Sequence, residues 1–187
     1  MNDANRGDAI RNKAEDFIQR VKSLTPGERA LLKRNAGCRL SESRGALPLF
    51  YRLCPRSIPE WEEDIWFLIA CLCCLDRSEK EAEERSFARS LLDFLGKDGF
   101  EADGANGWQR KVTKLLDASQ EELFYRLPQV VKRLVDNRVP IDWAGLLTDL
   151  RIWHWKSRIV QKRWAREFFG SKSNGTGEEQ ENDGGDN

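Results

Sequence analysis

Paired cations recur along this sequence: Lys33/Arg34, Arg110/Lys111, Lys132/Arg133 and, more widely spaced, Lys156 and Arg163. Lys114 joins the second group, and Arg158 and Lys162 join the fourth. Lysine and arginine on helices contact phosphate oxygens through charge and hydrogen bonds without reading bases. One basic stretch is ordinarily a solvated helix face. Several on separate helices, with no base-reading motif among them, point to sequence-independent binding along a nucleic-acid backbone.

Other chemistry finds few residues to carry it. The single histidine, His154, is the only imidazole available as a general base. In a helix through this region it falls on the apolar stripe, where a packed core histidine is expected. The five cysteines are Cys38, Cys54, Cys71, Cys73 and Cys74, three of them inside one apolar segment. Neighbouring helical positions cannot readily form a disulfide. A zinc site would want two Cys-x-x-Cys pairs or nearby histidines, and His154 is far away in sequence. No glycine-rich loop follows a strand pattern, so a phosphate loop is excluded. Acids such as Glu62 and Glu63 open a helix, where its dipole favours them. The reading is a non-enzyme with no catalytic residue, no metal and no cofactor.

Only helices are expected to position these side chains. Ile10, Ala14, Phe17, Ile18 and Val21 have helical spacing. Thr25 and Glu28 form a capping box with Pro26 at the first helical position, and Ser119 and Glu122 form a second box. Ile65–Leu75 is an apolar run of eleven residues, short of the roughly 20 that cross a membrane, and reads as a buried helix. Pro128 predicts a break or kink. Asp142 to Phe169 reads as one long helix, capped by Asp142 and ended by Gly170. Its core stripe is Trp143, Leu146, Leu147, Leu150, Trp153, Val160, Trp164 and Phe168. Ile152, Trp155 and Ile159 make a second apolar ridge among six cations, Arg151, Lys156, Arg158, Lys162, Arg163 and Arg166. Such a doubly apolar helix must pack twice or offer a face to a partner.

The fold class that follows is all-α, two small helical bundles packed together. The glycine-rich stretch 99–107 is the expected boundary, giving an N-terminal bundle over 1–98 and a C-terminal bundle over 107–170. Residues 171–187 hold five acids, one lysine and no bulky apolar side chain, and are expected to be a disordered acidic tail. Formal net charge is zero over 187 residues, so patches rather than the total decide any nucleic-acid binding. A polar, charged start and the absence of a long apolar run predict a cytoplasmic protein without membrane contact.

A set of degenerate motifs sharpens the reading. Arg29–Arg34 is followed by Pro48-Leu49-Phe50-Tyr51-Arg52-Leu53, then by Ser86-Phe87-Ala88-Arg89-Ser90-Leu91. Arg110-Lys111 with Leu115-Leu116 comes next, then Leu127-Pro128 and Val131-Lys132-Arg133-Leu134. Ile141-Asp142-Trp143, Trp153 and Arg163-Trp164-Ala165 close the series. In order and spacing these resemble the small subunit of the type I-E CRISPR effector Cascade, the CasB family, over roughly Gly27 to Phe169. Ala88 departs from the pattern, which has glycine there. The resemblance implies an all-helical, non-catalytic subunit, present in two head-to-tail copies among the other Cascade subunits. It would support the duplex of crRNA and target and help hold the displaced, single-stranded DNA. By the same resemblance Lys33, Arg34, Arg110, Lys111, Lys132, Arg133, Lys156 and Arg163 would lie near the nucleic-acid groove. The rival expectation is a helical adaptor that binds only protein, with Trp155 and Ile159 as anchors. A helical nuclease is disfavoured by the lack of an acid–lysine or histidine site.

Overall fold

A computed structural model describes residues 3–77, 84–96 and 102–170. Among them are nine α-helices, one 3-10 turn at Leu40–Glu42 and no strand. The helices are α1 (Asp3–Lys22), α2 (Pro26–Arg34), α3 (Leu47–Leu53), α4 (Glu60–Cys73), α5 (Phe87–Gly96), α6 (Ala102–Leu116), α7 (Gln120–Asp136), α8 (Trp143–Arg151) and α9 (Ile159–Gly170). The expected all-α class is therefore observed. The tail 171–187 lies outside the described residues, as do 97–101, which include the first three positions of the expected boundary stretch.

Helix α4 is the centre. Every residue from Ile65 to Cys74 is buried, as an all-apolar helix requires. It packs against α1, α2, α7 and α8. Phe17 meets Trp66 edge-on at 4.9 Å, and Phe50 meets Phe67 at 5.5 Å. A second set of contacts joins α5 to α6, α7 and α9. There Phe94 lies 4.5 Å from Trp108, and Phe87 5.0 Å from Trp164. Ala88 is fully buried inside α5.

Both capping boxes form, with Thr25 and Ser119 accepting from the backbones of Glu28 and Glu122. Asp142 caps α8 by accepting from Gly145 N at 2.8 Å. Pro128 does not break its helix, because α7 runs from Gln120 through Asp136. Its ring nitrogen has no hydrogen to donate to Phe124 O, four residues back. Gly37, at φ +99°, brings its backbone against that carbonyl, and a Cβ there would stand 3.1 Å from the oxygen and 3.5 Å from Pro128 Cγ.

The single long helix expected over 142–169 is instead two, α8 and α9, separated by a turn. The apolar stripe is buried throughout, but two different surfaces bury it. Helix α8 packs on α1 and α4, whereas α9 packs on α5 and α6. One straight helix could not serve both. The turn is fastened to the end of α6, where Trp153 Nε1 donates to Ala118 O at 2.9 Å and Arg158 Nη2 to Leu116 O at 2.8 Å. Arg158 reverses the chain at φ +51°, an uncommon conformation for a residue with a Cβ.

His154 lies in that turn and is exposed rather than in the core stripe. It stands 5.9 Å from the ring of Trp61 in an edge-on arrangement. The ridge of Ile152, Trp155 and Ile159 is likewise not a helix face. Ile152 ends α8, Trp155 lies in the turn and Ile159 starts α9. Trp155 and Ile159 are about half exposed.

Candidate nucleic-acid interface

The predicted cations stand on four helices, α2, α6, α7 and α9, and on the turn between α8 and α9. Lys33 and Arg34 lie in the last turn of α2, both exposed, where positive charge suits the C-terminal end of the helix dipole. The capping box fixes the start of that helix, and Arg52 of α3 pairs with its Glu28. Arg52, and behind it the Thr25 backbone N–H, hold the Glu28 carboxyl at about 2, below its ordinary 4.5. The stabilisation from that pair is full above the ordinary value and is lost as pH falls from there toward 2. Following the Glu28 carboxyl by NMR should show titration near pH 2, moving up toward 4.5 in Arg52→Ala. Titration near 4.5 in the parent would show that Arg52 does not hold Glu28.

Arg110 and Lys111 occupy the outer face of α6, because its inner face buries Trp108, Val112, Leu115 and Leu116. Lys132 and Arg133 hold the equivalent place on α7, outside Leu127, Val130, Val131 and Leu134. Since α6 and α7 pack on each other, these four cations belong to one helical pair. Lys156 is exposed at the tip of the turn closed by Arg158 N donating to Trp155 O at 2.9 Å. Seven predicted cations, Lys33, Arg34, Arg110, Lys111, Lys132, Arg133 and Lys156, have no carboxylate partner among the described residues.

Arg163 differs from them. It pairs with Asp149 of α8, while the other Asp149 oxygen accepts from Trp164 Nε1 at 2.8 Å. Lys156 and Arg163 do not share a helix face, because the turn lies between them. Three of the six cations expected to surround the ridge are engaged internally. Arg151 pairs with buried Glu62, Arg158 with Asp117 at 3.2 Å and Arg163 with Asp149.

One feature went unread in the sequence. Asn106, Gln109, Arg110 and Thr113 of α6 line, with Phe169 of α9, an open groove of about 580 Å3. The spacing of Asn106, Gln109 and Thr113 along one helix face was the available signal. It was hidden because 99–107 reads as a boundary, whereas α6 begins at Ala102.

Four of the five cysteines, Cys54, Cys71, Cys73 and Cys74, are buried and poorly placed to react. Burial pushes the Cys54 thiol up to about 12 and Cys74 to about 11, and drives Cys71 and Cys73 strongly upward. Among the described residues, no three His, Cys, Asp or Glu side chains are grouped to hold a metal ion. No described helix is long and apolar enough to cross a membrane.

The fold has known counterparts. The crystal structure of a Cse2-family CRISPR-associated protein from Thermus thermophilus matches with a TM-score of 0.68 and 27% identity, covering 88% of this chain and 97% of that one. A chain of a CRISPR RNA-guided surveillance complex matches at a TM-score of 0.74 and 21% identity, over 88% and 96%, which bears on the fold alone. At the level of sequence, CRISPR-associated protein Cse2 of Thermus thermophilus is 31% identical over 167 residues, covering 79% of this chain and 92% of the relative. The family model for CRISPR-associated protein Cse2 matches residues 28–169, from Glu28 of the α2 capping box to Phe169 of the groove, and the chain belongs to that family.

Proposed function

We propose that this protein is the non-catalytic small subunit of a type I-E Cascade-like, RNA-guided surveillance complex in antiviral defence. It acts in the cytoplasm, beside the other Cascade subunits and a second copy of itself. It binds nucleic acid without sequence preference, supporting the duplex of crRNA and target and the displaced single strand. The observation that carries the reading is the set of seven exposed cations with no carboxylate partner among the described residues, on a chain of the Cse2 family. Six of them stand on helices and Lys156 on a turn, and cations without an acid partner meet phosphates without first breaking an internal ion pair. Arg163 can meet a phosphate only by sharing its guanidinium with Asp149.

Binding of single-stranded DNA and RNA across a salt series tests the proposal. Each phosphate neutralised should add about 0.7 to the slope of log affinity against log salt. Lys111→Glu with Lys132→Glu and Arg133→Glu should weaken binding and flatten that slope at an unchanged thermal midpoint, since all three side chains are exposed. An affinity that does not respond to salt would sink the proposal. Half-exposed Trp155 and Ile159 favour the second reading, a helical adaptor that holds only protein. It would gain if the triple variant bound nucleic acid as the parent does while Trp155→Ala lost its protein partners.

A further inference from the structure

We infer that the groove between α6 and the end of α9 seats one unpaired nucleobase of a single strand, stacked on Phe169 and met at its edge by Asn106 and Gln109. This rests on the nucleic-acid reading above and gives it a site for something other than phosphate.

The lining chooses the ligand. Asn106 and Gln109 each present an amide with both donor and acceptor groups, and neither has a side-chain partner among the described residues. A base edge carries the same mixture of donors and acceptors. Phe169 supplies the flat apolar surface. It is 38% exposed, and its ring is held edge-on at 4.9 Å by Phe168, which is fully buried. The platform is therefore anchored, although α9 ends there. Thr113 spends its hydroxyl hydrogen on Gln109 O at 3.0 Å and keeps an acceptor toward the groove. Among the described residues Arg110 is the one charged side chain in the lining, and none of them sets a carboxylate beside it.

Among the described residues the groove's only charge is the cation Arg110, which favours an anionic ligand, and a purely apolar one would strand two amides. A nucleotide satisfies every group, with its base on Phe169, its edge at the amides and its phosphate at Arg110. The base must be unpaired, because in a duplex its faces are stacked and its pairing edge is occupied. Primary amides turn to match either donor or acceptor, so the site takes any base. That agrees with binding that ignores sequence while still distinguishing a base from none.

The test compares a fluorescent single-stranded DNA oligonucleotide with an abasic strand of equal length and charge, both titrated with the full chain at several salt concentrations. The parent should bind the base-bearing strand about tenfold more tightly, the range expected for one base on one aromatic ring. Phe169→Ala should remove that advantage and leave binding to the abasic strand and its salt slope unchanged. Phe169→Tyr should restore it. Asn106→Ala with Gln109→Ala, a change at side chains outside the core, should reduce the advantage about threefold and stands as the test if Phe169→Ala melts early. A parent that binds both strands equally, or an advantage that survives both variants, overturns the site while the phosphate-binding reading stands. Salt-independent binding, or binding of neither strand, overturns both.

Discussion

Arg151→Ala is expected to lower the thermal midpoint by roughly 10 °C, a loss of about 3–5 kcal/mol at about 2–4 °C per kcal/mol for a chain of this size. The reason is the carboxylate it would abandon. Glu62, in the first turn of α4, is 2% exposed, and Arg151 of α8 pairs with it. Among the described residues the remaining side-chain donor to Glu62 is Trp66 Nε1 at 3.1 Å. One indole hydrogen does not replace a guanidinium, and the buried charge would be left largely uncompensated. The control removes both charges. Glu62→Gln with Arg151→Met keeps the volume and should be markedly less destabilised than Arg151→Ala alone, because nothing charged is stranded. Denaturant melts of the three proteins decide the point, and a single variant as stable as the parent would show the pair to be dispensable.

Trp164→Ala should cost about 4 kcal/mol by the same measurement, the middle of the range for emptying a buried aromatic site. Trp164 is fully buried between Phe87 at 5.0 Å and Trp153 at 5.2 Å, so its loss opens a cavity where α5, α9 and the turn meet. It also leaves Asp149 with Arg163 but without its indole donor. Trp164→Phe separates the two losses. It keeps most of the packing and forfeits the hydrogen bond, for which about 1–2 kcal/mol is expected. If alanine and phenylalanine cost the same, the hydrogen bond rather than the packing is what Trp164 contributes.

Helix identity was legible because it rests on local rules. The capping boxes at Thr25 and Ser119 and the buried run in α4 follow from side chains a few residues apart. What escaped depends on surfaces distant in the chain. Residues 152–158 contain no glycine or proline, and the apolar period continues through them. The turn there is imposed by the end of α6, which claims Trp153 and Arg158. His154 was misplaced for the same reason, since a periodic pattern assigns a face only while the helix lasts. The cations were legible as residue types but not as free or engaged. Nothing local distinguishes Arg163, held by Asp149, from Arg133, which has no acid partner among the described residues. The groove was obscured by Ala102–Gly107, whose glycines argue for a loop although the segment begins α6.

The meeting of Gly37 with Phe124 and Pro128 ties two distant positions together as substitutions accumulate. Proline at 128 leaves a carbonyl without its usual helical donor, and glycine at 37 leaves room for backbone to approach it. A larger residue at 37 meets both a left-handed backbone angle and the Phe124 oxygen, so its cost has a local part and a part set by α7. Replacing Pro128 by alanine returns a donor to that same oxygen and removes the ring carbon that a side chain at 37 would touch, so both changes act on the Phe124 carbonyl. The two changes are therefore non-additive, and the order in which a lineage acquires them decides which intermediate remains folded.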